Sequence, residues 1–143
     1  MRTLESLVDE FRTDKAISIR QPWADLIIYG DKDIENRNWY TPYRGPVFIH
    51  AARSFDTQAY DWILHHHGHV FTPKMKFDRG GIIGVANLSY VYREHSSPWF
   101  QGKFGFFLED RQPVNFIPLR GQLGLFNVFF PEINPFPPRT RRR

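Results

Sequence analysis

The chain has 143 residues, no cysteine, 17% aromatic residues and a formal charge of +4. That length supports one core without staples, and the missing cysteines exclude disulfides, thiol catalysis and thiolate metal sites. The four arginines among the last five residues, Arg139, Arg141, Arg142 and Arg143, account for the whole of the +4, so the rest is neutral and any face for nucleic acid must be local.

The opening MRTLESLVDEF is amphipathic and lacks the apolar centre of a signal peptide. Runs such as LII and FF are too short to span a bilayer. The expectation is a soluble cytoplasmic protein with no membrane partner. The aromatic content exceeds what a small core needs, so a stacking surface or a ring-lined cavity is expected.

Leu4, Leu7, Val8 and Phe11 recur at helical spacing, and Thr3 fits the N-cap. Ala16 to Ile19 reads as a short strand. Pro22 suits the first turn of a second helix, with Trp23, Leu26, Ile27 and Ile28 as its apolar side. Gly30 is expected to close that helix in a left-handed conformation. If the following DKDIENRNW is extended, Glu35, Arg37 and Trp39 share a face, and Lys32 can swing toward it from the turn.

Residues 41–46, TPYRGP, form a loop, and Val47 to Ala51 a strand with Val47 and Ile49 opposite Phe48 and His50. Asp56 to His67 reads as a helix capped by Ser54 or Asp56 and stopped by Gly68. A loop with Lys74, Lys76 and Arg79 follows. GGIIGVANLSYVYR is a long strand pattern, and Phe104 to Leu108, Val114 to Pro118 and Leu125 to Phe129 add three more. Gly102, Gly105, Gly121 and Gly124 mark the corners of a strongly curved sheet. The economical α+β arrangement is a small β-barrel of about five to six strands with flanking helices, and a split sheet is the alternative. The expected divisions are 1–14 (an N-terminal helix), 15–130 (the domain) and 131–143 (a tail rich in Pro and Arg).

The segment QPWADLIIYGDKDIENRNWYTPYRGPVFIHAA resembles the opening of the activating-signal-cointegrator homology (ASCH) domain. The resemblance rests on Gln21, Pro22, Trp23, Gly30, Lys32, Glu35, Arg37, Trp39, Tyr43, Arg44 and Gly45 at fixed spacings. GGIIGVANL and PLRGQLGLF resemble the closing strands of that family. The resemblance implies a PUA-like β-barrel with a cleft beside the Lys-Glu-Arg segment. Relatives of that fold bind RNA or DNA, and several read a modified or extruded base. ASCH domains are linked to RNA metabolism and transcription coactivation. A smaller branch resembles amidohydrolases that deacylate modified cytidine.

Nucleic acid, RNA or DNA, is therefore the expected partner. Lys32, Arg37 and Arg44 would meet phosphates or base edges, while Glu35 would hold Arg37 or accept from an exocyclic amine. Trp39 and Tyr43 would stack, with Trp23 and Trp99 completing a cage. His50 is a candidate for the same cleft, and Lys74, Lys76 and Arg79, with Arg120, are candidates for phosphates beside it. The structural alternatives are a corner ion pair for Lys32–Glu35–Arg37, barrel-end filling for the rings and a satisfied core histidine for His50.

One alternative function is an amidohydrolase acting on N4-acylated cytidine through Lys32 and Glu35. In that branch of the family a threonine stands where this chain has Glu35, which removes the hydroxyl nucleophile. The other is a protein-binding adaptor or coactivator module in a larger assembly. His65 and His69 stand four residues apart, a helical metal spacing, but Gly68 intervenes, so no metal is expected, and no cofactor either.

Overall fold

The computed structural model describes residues 2–67 and 76–129. Three helices and six strands follow in the order α1 (Leu4–Phe11), β1 (Lys15–Gln21), α2 (Trp23–Tyr29), β2 (Ile34–Arg37), β3 (Gly45–Phe55), α3 (Thr57–His67), β4 (Gly81–Tyr92), β5 (Phe104–Pro118) and β6 (Leu125–Asn127). The strands form one mixed sheet in the order β2-β5-β4-β3-β1-β6. β1 and β3 run parallel, and the other neighbours run antiparallel. The backbone ladder has two edges, the short strands β2 and β6, so backbone pairing does not make the closure expected of a barrel.

Alternation along the strands puts apolar groups on both faces. Ile17, Ile19, Val47 and Ile49 join Ala24, Ile27 and Ile28 of α2 in one cluster. Ala16, Phe48, Ile82 and Val85 join Leu7 of α1 in another. One helix thus covers each face, and both faces of the central strands are dry. Gly84 permits the close approach of α2: a Cβ there would stand 2.8 Å from the Gln112 carbonyl and collide with Ile28.

Local chemistry sets the helix ends. Thr3 and Ser6 form a reciprocal capping box on α1. The Asp56 carboxylate accepts from the Ala59 amide at 3.0 Å and caps α3. Gly30, at the end of α2, is extended rather than left-handed (φ −112°, ψ −150°). Arg111 of β5 satisfies this end instead, donating to the Ile27 carbonyl at 3.1 Å and the Lys32 carbonyl at 2.7 Å. The Gln21–Pro22 peptide is cis.

The segments Phe104–Leu108 and Val114–Pro118, read from sequence as two strands, are one fifteen-residue strand, β5. Its pairing with β4 shifts register three times, and Asp110 has φ +50°. These bulges absorb the polar residues and Pro113 that look like a break in the sequence.

Candidate functional site

β1, α2, β2, α3 and the 97–101 loop surround a cleft of about 480 Å³. Its lining includes Trp23, Trp39, Trp62 and Trp99, which are all four tryptophans of the chain. Each comes from a different element. Trp23 opens α2, Trp39 follows β2, Trp62 projects from α3, and Trp99 lies in the loop before β5. Trp39 meets Phe106 edge to face, with centroids 5.1 Å apart. Trp99 is buried and stacks on His67, while Trp62 is 47% exposed at the rim.

The alternation expected of residues 35–39 holds through β2, where Glu35 and Arg37 lie on one face. The Arg37 Nε donates to Glu35 Oε2 at 3.0 Å, and its Nη2 donates to the Ser18 carbonyl at 2.8 Å. Lys32 donates to Glu35 Oε1 at 3.3 Å and to the Ile34 carbonyl, and its ammonium lies 5.3 Å from the Trp23 ring centre. Lys32 is only 3% exposed. Burial pushes its ammonium below the usual lysine range, and the Glu35 carboxylate opposes that shift. Asn36 fixes the loop that carries Trp99: its amide donates to the Trp99 carbonyl and its oxygen accepts from Gln101 N, both at 2.8 Å.

The structure brings Lys32, Glu35, Arg37 and Trp39 together with Trp23 and Trp99. It places the other candidates elsewhere. The Tyr43 hydroxyl bonds the Pro46 carbonyl at 2.6 Å and the Thr13 hydroxyl at 3.1 Å, beside α1. Arg44 is exposed, donates to the Thr41 and Tyr43 carbonyls, and lies over the Tyr40 and Tyr90 rings. His50 faces a neighbouring hollow. Its Nε2–H donates to the Leu119 carbonyl at 2.6 Å, so Nδ1 accepts from the Ser18 hydroxyl at 2.9 Å. Burial, with a smaller contribution from Arg53, lowers the His50 pKa.

Lys76 is exposed, and Arg79 bonds the Arg53 carbonyl at 3.4 Å. Lys74, His69, Gly68 and the arginine tail lie outside the described residues. Among the described residues no three His, Cys, Asp or Glu side chains converge as metal ligands, and no helix is long and apolar enough to cross a membrane.

Sequence reading missed Trp62, Arg20, Asn36 and Asn38 as cleft residues. Trp62 had a legible signal, since an indole at a solvent-facing position of an amphipathic helix needs another reason to be there.

The ASCH domain family model matches residues 17–113. The chain belongs to the ASCH domain family. Within it, the chain is similar to activating signal cointegrator 1 of Homo sapiens and of Mus musculus, each 51% identical over 36 residues. Those 36 residues are 25% of this chain and only 6% of either cointegrator. A serine-to-alanine mutant of the ZmASCH protein from Zymomonas mobilis has a crystal structure that aligns with TM-score 0.50 and 19% identity, covering 82% of this chain and 89% of that one. The ASCH crystal structure from the same organism aligns with TM-score 0.49 and 18% identity, over 81% and 87% of the two chains. At 19% identity the likeness to the mutant structure speaks for the fold alone.

Proposed function

We propose that this ASCH domain binds single-stranded nucleic acid, RNA or DNA, and seats one unpaired base in the tryptophan cleft. The supporting observation is the convergence of all four tryptophans on one open hollow beside Arg37 and Arg20. Flat rings stack on indoles at about 1–3 kcal/mol per base whatever the base. A duplex keeps its bases out of reach of such walls.

The polar groups have separate roles in this reading. Lys32 and Glu35 form the floor and hold Arg37, because the Lys32 ammonium is buried and already bonded. Arg37 is the cation available to a base edge, and the exposed Arg20 lies at the rim for a phosphate. The cleft opens where the curled sheet leaves β1 and β2 unpaired with each other, so we read the fold as a PUA-like barrel left open on that side.

The test is a fluorescence titration of the full chain with short single-stranded RNA, single-stranded DNA and a matched duplex. Quenching by single strands and not by duplex, reduced in Trp62→Ala, is the expected result. Equal affinity of the wild type and Trp62→Ala for every ligand would remove the cleft from the reading.

One observation favours a second reading. A lysine whose pKa is lowered by burial stands 3.3 Å from a carboxylate inside a ring-lined cleft. Such a pair suits proton transfer during hydrolysis of an N4-acylated cytidine: Glu35 would take a proton from the attacking water and return it to the N4 amine as the acyl C–N bond breaks, releasing cytidine and the carboxylic acid. Incubation with N4-acetylcytidine and chromatography of the products tests it: acetate release lost in Glu35→Gln supports hydrolysis, and an unchanged substrate rejects it.

A further inference from the structure

A second hollow of about 520 Å³ shares Ser18 and Arg37 with the tryptophan cleft. Its lining also includes His50, Arg53, Arg120 and Gly121, and no carboxylate lines it among the described residues. Arg53 and Arg120 are exposed and make no ion pair among the described residues. Arg37 is offset by Glu35 from behind, but Arg53 and Arg120 have no acid partner among the described residues, so the hollow keeps a positive field that an anion would relieve.

The back wall is built rather than incidental. His50 is 1% exposed and fixed at both nitrogens, to Ser18 and to Leu119. Gly121 lies so close to this pair that a Cβ there would stand 2.7 Å from His50 Cε1 and 2.8 Å from Ser18 Oγ. The 119–124 loop can therefore close on the wall only with glycine at this position. Arg37 uses Nε for Glu35 and Nη2 for Ser18, and its Nη1 makes no hydrogen bond among the described residues.

We infer that this hollow is a phosphate site, holding the backbone phosphate next to the base seated in the tryptophan cleft. The inference rests on the nucleic-acid reading above. Arginine forks match phosphate oxygens two at a time, which a lone lysine cannot do. Two hollows with a common wall of Ser18 and Arg37 suit the base and the phosphate of one nucleotide. The ligand class thereby narrows from nucleobases and nucleosides to phosphate-bearing strands.

The experiment has two arms on the 143-residue chain. In the first, inorganic phosphate is titrated while NMR follows the Gly121 and Gly124 amides and the His50 ring. In the second, a single-stranded pentamer carries one neutral methylphosphonate at each position in turn, against the wild type and the Arg53→Ala/Arg120→Ala double variant. Both arginines are exposed, so circular dichroism should report an unchanged fold for that variant.

The expected results are phosphate-dependent shifts at Gly121 and His50, absent in the double variant, and one position where neutralisation weakens wild-type binding about tenfold. In the double variant that position should lose its penalty, and the salt slope should flatten by about 0.7 for each phosphate contact removed. A pentamer that binds the cleft with no such position, or with one that survives in the double variant, overturns the phosphate site and leaves the base cleft standing. Failure of every pentamer to bind, with phosphate shifts still present, instead rejects the nucleic-acid reading and keeps the anion site. Absence of the phosphate shifts together with absence of a sensitive position ends the inference.

Discussion

Arg37 Nη2 donates to the Ser18 carbonyl at 2.8 Å and so connects β2 to β1, strands that stand first and fifth in the sheet. No backbone ladder joins them. The guanidinium spans the opening between the cleft and the arginine hollow, and Glu35 holds it at 3.0 Å. Arg37→Ala should cost about 1.5–3 kcal/mol, the range for a hydrogen bond to a charged group. It should also weaken single-strand binding more than that loss of stability explains. Urea unfolding and a titration at saturating folded protein separate the two effects; wild-type stability in the variant would mean that the bridge is idle.

The buried pair makes an ordering prediction. Glu35→Leu strands the Lys32 ammonium in a site where it is 3% exposed, and about 3–5 kcal/mol should be lost. Lys32→Met leaves Glu35 paired with Arg37 and should cost less. Denaturation midpoints for the two variants give the order directly, and the reverse order would show that Glu35, not Lys32, carries the desolvation burden.

Trp62 offers the cleanest separation of binding from folding. It is 47% exposed, so Trp62→Ala should leave the melting temperature nearly unchanged. Stacking worth about 1–3 kcal/mol should be lost with it. Retained affinity for single strands would move the binding surface away from this rim.

Histidine 50 sets a pH dependence. Its folded pKa lies below the usual 6.5, chiefly because it is buried. The unfolded chain therefore takes up this proton first as the pH falls. The stability linked to His50 is full above about 6.5 and is lost as the pH drops toward the folded value. The difference in stability between the wild type and His50→Gln should shrink from pH 7.5 to pH 5. Parallel pH curves would show that His50 titrates alike in both states.

Gly84 tests the packing of α2 on the sheet. Gly84→Ala places a methyl 2.8 Å from the Gln112 carbonyl and against Ile28. Overpacking of this kind costs about 1–3 kcal/mol. Calorimetry should record a lower melting temperature, and relief in the Gly84→Ala/Ile28→Val double variant would identify Ile28 as the obstacle.

Much of the local structure was legible in the residue pattern. The spacing of Leu4, Leu7, Val8 and Phe11, the alternation of Val47 and Ile49 with Phe48, and the Asp56 cap each fix a conformation through near neighbours. The grouping of Glu35 with Arg37 follows from the same two-residue period. The continuity of β5 was not legible, because a bulge at Asp110 and Pro113 carries the breaker signals of a turn. Nor was the end of α2, which Arg111 satisfies from a distant strand.

Sequence alone determined which side chains share a face, since periods of 2 and 3.6 residues act along the chain. Only the tertiary structure decided which faces meet. The curl of the sheet brings the start of α2, the residue after β2, the rim of α3 and the loop before β5 to one cleft, so four tryptophans far apart in sequence become neighbours. Long-range packing likewise sets Tyr43 beside α1, Arg44 over Tyr90 through the pairing of β3 with β4, and His50 in the arginine hollow. No local period encodes that, because it depends on strand order, and strand order is set by contacts between residues remote along the chain.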